Sequence, residues 1–293
     1  MLARMKNNNL RILSLLLPGL LIFAFFTIYP IIKLFIMSFF EWDLGSVFKQ
    51  RFIGLENYRS VLSDETFRIT FINTIVYTFV TVPSQILLGL LVAVLIHNIP
   101  RLKISFRLTY YLPVITSWVI ASLVFKYIFN TEGLLNYFLK EIVSITDHNI
   151  RWLDNRLGGL SVAMLLGTWK GIGWNMVVFL AALQTVPEEL YEAAEIDGAG
   201  SFKRFIKITI PYIKGTILFA VVMLTIGGFN VFTSIKLITG GQPAHQTDTV
   251  LTWMYYKAFS TGEFGYSAAL SFIIAITLGI LAVIQFKVLK KEY

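Results

Sequence analysis

Glu192-Ala193-Ala194-Glu195-Ile196-Asp197-Gly198-Ala199, continued by Phe202, Phe205, Ile208 and Pro211, is the most charged stretch of a chain otherwise built from long apolar runs. It lies between the fourth and fifth of those runs. Carboxylates are costly in hydrocarbon, so the segment faces water. Its pattern predicts helix, turn, helix. Thr185 and Glu188 have the spacing of a capping box, with Pro187 in the first turn. Leu190, Ala193, Ala194 and Asp197 recur at three and four, which sets two alanines on one face, and Gly198 ends the helix. A second helix from about Ser201 puts Phe202, Phe205, Ile206 and Ile208 on one side and Lys203, Arg204 and Lys207 largely on the other, with Pro211 closing it. From the residues alone, an amphipathic pair resting on a membrane surface explains this pattern as well as a specific docking role does.

Outward from this stretch, 56% of the 293 residues are hydrophobic and 14% are charged, and the mean hydropathy is +0.70. Such a chain is an integral membrane protein. Six apolar segments, residues 12–38, 71–96, 108–129, 160–183, 212–235 and 266–286, each reach the ~20 residues a helix needs to cross a bilayer. An isolated span must satisfy its own backbone, so the expected fold is all-α with six transmembrane helices and one domain over 1–293. Pro18 and Pro30 are placed to bend the first span, and Pro83 interrupts the second. Arg4, Lys6 and Arg11 ahead of the first span resemble the start of a signal peptide. The apolar run is too long for one, and an uncleaved first span is expected.

The net charge of +8 is carried by basic residues in short loops. This favours membrane orientation over nucleic-acid binding. Arg4, Lys6 and Arg11, then Arg101, Lys103 and Arg107, then Lys203, Arg204 and Lys207, and finally Lys287, Lys290 and Lys291 fall on one side, while the opposite loops mix basic residues with acids such as Glu41, Glu56, Asp64, Glu132 and Asp154. Both termini and the segment at about 185–211 are therefore expected in the cytoplasm. With no cysteine, thiolate sites and disulfides are excluded.

The run Glu192-Ala193-Ala194, Gly198 and Ile208-x-Ile210-Pro211 resembles the EAA signature of the membrane subunits of bacterial ABC importers, with Ile210 where the family usually has Leu. The resemblance implies a cytoplasmic coupling-helix loop that docks into a cleft on an ATPase subunit. Glu192, Ala193, Ala194, Asp197, Gly198, Ala199, Phe202 and Pro211 would be its coupling residues. Further matches follow in order along the chain: Gly54-Leu55-Glu56-Asn57-Tyr58, Asn73-Thr74, Leu112-Pro113, Phe129-Asn130, Gly133-Leu134-Leu135-Asn136, and Thr239-Gly240-Gly241 leading to Pro243. They are similar to the carbohydrate-uptake branch, including the larger maltose-transporter membrane subunit and the glycerol-phosphate and multiple-sugar permeases. Gln242 departs from the branch's usual Gly-Gly-Pro, and the maltose subunit's large periplasmic insertion is absent.

The resemblance implies a multi-pass protein of a bacterial or archaeal cell (inner) membrane. Its implied partners are a second homologous permease subunit, two cytoplasmic ATP-binding subunits, an extracytoplasmic solute-binding protein and a sugar, with no nucleic acid. No cofactor is expected on this chain; ATP and Mg belong to the partners. The residues agree, since Gly167-Thr168-Trp169-Lys170-Gly171 lacks the spacing of a phosphate-binding loop. His97, His148 and His245 are isolated and form no zinc or triad pattern.

None of the six segments contains Asp or Glu. That speaks against an ion-driven carrier and an intramembrane hydrolase. The spans instead carry Trp118, Trp169, Trp174, Asn175 and Asn230. Indole faces stack on sugar rings and amides bond hydroxyls, although each Trp taken singly is equally well explained by packing. Aligned through the resemblance, the maltose subunit's sugar contacts fall on Val114, Trp118, Trp169, Gly171 and Trp174, and in the fifth span near Gly228 and Val231, beside Asn230. Val114 cannot bond a hydroxyl, so a different substrate is implied. Lys170, near the middle of the fourth span, has two open readings. It faces the pathway and favours an anionic or strongly hydrogen-bonding saccharide, or it snorkels or bonds a backbone carbonyl. The expected function is a membrane subunit of an ATP-driven importer for a sugar or oligosaccharide; the alternatives are an importer for another polar solute such as a polyol or glycerol-phosphate, an ion-driven carrier or a membrane-anchored scaffold.

Overall fold

A computed structural model describes residues 14–42, 51–99 and 101–290. Arg4, Lys6, Arg11 and Lys291, used above to orient the chain, lie outside the described residues. The elements are α1 (Ser14–Met37), a hairpin of β1 (Phe40–Glu41) and β2 (Arg51–Phe52), then α2 (Glu56–Ser63), α3 (Glu65–Asn98), α4 (Lys103–Ile115), α5 (Trp118–Ile128) and α6 (Leu134–Tyr137). There follow α7 (Arg156–Leu183), α8 (Glu188–Ile196), α9 (Ser201–Arg204), α10 (Lys214–Phe229), α11 (Thr233–Ile238), α12 (Val250–Phe259) and α13 (Phe264–Lys290). Among the described residues, five helical stretches are long and apolar enough to cross a bilayer, and the pair α4–α5 makes a sixth when taken as one span.

The backbone packs as two compact units, residues 1–64 with 254–273 and residues 65–253 with 274–293. In the first, Phe35 meets Phe272 edge to face at 5.2 Å. Asn57 donates to the carbonyls of Ser38 and Phe40, both at 2.9 Å. In the second, α3 and α7 form the spine, and two apolar clusters sit on it. One gathers Leu160, Ala163, Leu166, Val231, Ile235 and Ile238. The other gathers Leu90, Ala93, Ile96, Met176, Phe179, Leu183 and Ile213, with Tyr191, Phe205 and Ile208 of the segment at 185–211 packed on it. Residues 167–175 of α7 fall between the clusters.

Several sequence expectations need correcting. The third span is not one helix. It bends by 90° between α4 and α5, with Thr116 and Ser117 outside both helices at ψ 138° and 135°, so Trp118 opens α5. The fifth span is interrupted after Phe229 and resumes at Thr233. Pro83 breaks nothing, because α3 runs through it. Thr185 is not a cap: the residue before α8 is Pro187, and the Thr185 hydroxyl donates back to the Ala182 carbonyl at 2.7 Å. Nor does Pro211 close the second loop helix. A π-helical turn, Phe205–Thr209, ends with Ile210 N–H donating to Phe205 O, and the chain stays helical through Ile210–Tyr212. The wider turn rotates the side chains, so Phe205 and Ile208 pack inward while Phe202 and Ile206 are 75% and 44% exposed. A similar π turn, Ala24–Ile28, precedes Pro30 in α1.

Candidate functional site

Between the two clusters, α7 carries Gly167, Lys170, Gly171, Gly173, Trp174 and Asn175. The glycines let neighbouring groups in. Tyr77 Cζ would lie 3.2 Å from a Cβ at Gly167, and Gln85 Cγ 2.6 Å from one at Gly171. Gln85 Nε2 donates to the Gly167 carbonyl at 3.2 Å, and Asn175 Nδ2 donates to the Gly171 carbonyl at 2.9 Å. Asn175 Oδ1 is buried without a hydrogen-bond partner.

The break in the third span is held from α7. Carbonyls in the last turn of a helix have no amide partner within it, and a bilayer supplies none. Lys170 is 3% exposed, and its Nζ donates to Pro113 O and Thr116 O, both at 2.6 Å. The Thr116 hydroxyl donates to Leu112 O at 3.0 Å, and Ser117 Oγ accepts from Val119 N–H at 3.3 Å. Lys170 Nζ also lies 4.9 Å from the centre of the Trp118 ring.

In the fifth span, Asn230 Nδ2 donates to its own helix at Ile226 O, 3.0 Å, and Val231 N–H donates to Gly228 O at 3.3 Å. Thr249 Oγ1 donates to Val231 O at 3.0 Å. Gly228 admits Thr78, whose Cγ2 would lie 3.0 Å from a Cβ there.

These pieces enclose a cavity of about 470 Å³. Of the sequence-derived pathway residues, Val114, Trp118, Lys170, Gly171, Trp174, Asn175, Gly228, Asn230 and Val231 line it, and Trp169 does not. Trp169 lies instead on Phe125 of α5, ring centres 5.6 Å apart. Tyr77, Thr81, Gln85 and Ser234 also line the cavity and were missed. The first three were readable as a polar stripe at intervals of four on an apolar helix. Lys170 is the only charged residue among the lining residues, and none is acidic.

At the loop end, Gly198 has φ +75°, a conformation that L side chains disfavour. Arg204 Nη1 pairs with Glu195 Oε2 at 2.7 Å, and the Tyr191 and Thr209 hydroxyls are 2.8 Å apart. These ties join α8 to α9 and its continuation. Glu192, Ala193, Asp197 and Gly198 are exposed, Ala194 and Ala199 half-buried, and the exposed surface includes Ile196 at 88% and Phe202 at 75%.

At the opposite end, Asn73 Nδ2 donates to the carbonyls of Gln246 and Asp248, both at 2.7 Å. Its Oδ1 accepts from Arg156 Nε at 2.8 Å, and Thr74 Oγ1 accepts from Val250 N–H at 3.0 Å. Asn136 accepts from Trp152 Nε1 at 3.1 Å and donates to Ile150 O at 2.8 Å. The quoted Asn73-Thr74 and Asn136 motifs are thus loop fasteners. Gln242, the departure from the branch, accepts Thr247 Oγ1 at its carbonyl, 2.8 Å away.

The chain is 32% identical over 289 residues to a probable ABC transporter permease protein, YurN, of Bacillus subtilis strain 168, covering 98% of each chain. It is 34% identical over 274 residues to the arabinooligosaccharides transport system permease protein AraP of the same organism, covering 92% of this chain and 85% of AraP. The fold matches a chain in the crystal structure of a bacterial ABC transporter involved in the import of the acidic polysaccharide alginate, with a TM-score of 0.83 at 22% identity over 99% of both chains. Residues 66–292 match the family described as binding-protein-dependent transport system inner membrane component. With two broken spans around a cavity that mixes indoles with amides and an exposed helix pair beneath it, the chain belongs to that family of ABC transporter permeases.

Proposed function

We propose that the chain is one of two permease subunits of an ATP-driven importer of a sugar or oligosaccharide, and that the cavity is its half of the path. The observation that carries this reading is a single cavity in which Trp118 and Trp174 offer indole surface beside the amides of Gln85, Asn175 and Asn230. A saccharide presents apolar ring faces and a rim of hydroxyls, and this lining matches both. Val114, Gly171, Gly228 and Val231 shape the space, and Trp169 acts from behind by supporting α5. The relative that transports arabinooligosaccharides supports a carbohydrate.

The loop at 185–211 is the handle. Glu192 bonds a cytoplasmic ATPase subunit, the small face at Ala193, Ala194 and Ala199 admits it closely, and Ile196 and Phe202 bury their exposed surface against it. Asp197 and Gly198 set the turn. Pro211 leads the movement into α10. Closure of two ATPase subunits then shifts the loop and the cluster beneath the cavity as one body, switching access from the face served by a solute-binding protein to the cytoplasm, where both termini lie. ATP and Mg bind the partners, and this chain does no chemistry.

In proteoliposomes containing the whole transporter and its solute-binding protein, Trp118→Ala and Trp174→Ala should each raise KM for the transported oligosaccharide about tenfold, the ratio for ~1.4 kcal/mol. ATPase activity should persist. Unchanged KM in both variants across an oligosaccharide panel would remove the cavity from the path. Gly198→Val should insert normally yet uncouple ATP hydrolysis from uptake; loss of insertion would indicate a folding role.

A further inference from the structure

We infer that Lys170 is a positioning residue. It caps the broken end of α4 and fixes the Trp118 ring in the cavity wall, and its charge is not offered to the cargo. The two groups it meets at 2.6 Å are the carbonyls of Pro113 and Thr116, which the 90° bend of the span leaves at a helix C-terminus. A cation at that end is favoured by the helix dipole as well as by the hydrogen bonds. The face of α7 is shaped for this approach. One turn on, a Cβ at Gly173 would lie 2.8 Å from Val114 Cγ2 and 3.0 Å from the Tyr110 carbonyl carbon, so α4 can come close only because Gly173 has none. Trp118 follows the bend directly and rests against the same ammonium group, 4.9 Å from its ring centre, in cation–π contact.

The consequence concerns the class of cargo. No acidic residue lines the cavity, and its one cation has its donors turned to a helix end that offsets much of its charge, so what the site offers a cargo is indoles, amides and hydroxyls. It suits an uncharged saccharide. This deepens the sugar reading of the same cavity, and the test below needs no sugar, so the two can fail separately.

The chain has no cysteine, so Val114→Cys is this subunit's single reporter in a transporter assembled with cysteine-free partner subunits. Its rates of modification by an anionic and a cationic methanethiosulfonate of similar size, each divided by that reagent's rate with a small free thiol, should differ by less than about threefold, and Lys170→Gln should leave that ratio in place, because the partial negative charge of the helix end offsets much of the ammonium's field. Lys170→Gln keeps a donor for the carbonyls; Lys170→Met does not. Lys170→Met should change both rates at least about fivefold as the break loosens, and Lys170→Gln should restore most of the wild-type value. A strong preference for the anionic reagent that Lys170→Gln abolishes would overturn the inference. So would Lys170→Met rates equal to wild type. If Lys170→Met fails to assemble, assembly of Lys170→Gln supports the capping role, and failure of both overturns it by making the charge itself indispensable.

Discussion

The third and fifth spans are both broken where they line the cavity, and they satisfy the break in opposite ways. In the third, one ammonium group from another helix takes two freed carbonyls. In the fifth, neutral donors share the work: the Val231 backbone amide on Gly228 O and the Thr249 hydroxyl on Val231 O, while the Asn230 side-chain amide only doubles the backbone bond on Ile226 O. Irregular backbone at membrane depth needs donors that lipid cannot supply. A single strong donor concentrates the dependence on one residue, whereas several weak ones distribute it.

The contrast is broken most severely at Gly173. Gly173→Leu drives a side chain between α7 and α4 and should destabilise the transporter by roughly 3 kcal/mol, the upper range for overpacking, read as a lowered thermal midpoint and diminished uptake. Gly227, in the fifth span, has nothing within 4 Å of a Cβ. Gly227→Ala should therefore be neutral or stabilise by up to about 1 kcal/mol. Equal losses in the two would mean that the breaks are equally constrained.

Thr249→Val removes the buried hydroxyl on Val231 O and should cost about 1–2 kcal/mol in denaturant unfolding, with Thr249→Ser near wild type. A Thr249→Val loss exceeding that of Lys170→Met would reverse the proposed distribution. Asn230→Ala removes an exposed bond and should cost less, about 0.5 kcal/mol. In the water-facing loop, the exposed Glu195–Arg204 pair should matter least. Glu195→Gln should alter stability by under about 1 kcal/mol, less still in high salt, since water and ions replace what is lost.

The long apolar runs, the EAA-like segment and the indole, amide and lysine side chains of the cavity wall were legible in the sequence because each is encoded locally, by hydropathy, by spacing or by a side chain with few uses inside a membrane, whereas Val114, Gly171, Gly228 and Val231 were reached only through the family resemblance. The breaks were not. Thr116-Ser117 and Asn230-Val231-Phe232 look like ordinary residues of apolar runs, and nothing near Thr116 announces that its donor stands at position 170. Tyr77, Thr81 and Gln85 were missed for another reason: the polar stripe was present, but the run around it was read for its length. The capping box at Thr185 and Glu188 had the right spacing and the wrong geometry, as Thr185 turns back to Ala182.

By itself the sequence determined that this chain lives in a bilayer as helices, because apolar runs with internally bonded backbones have no other solution there. It also marked the segment that must meet water. Only the tertiary structure decided where two of those helices stop and restart, because a helix can be interrupted at membrane depth only where donors reach the freed carbonyls, and for the third span that donor, Lys170, is distant in sequence. The cavity lies at those interruptions, and so does the role proposed for Lys170.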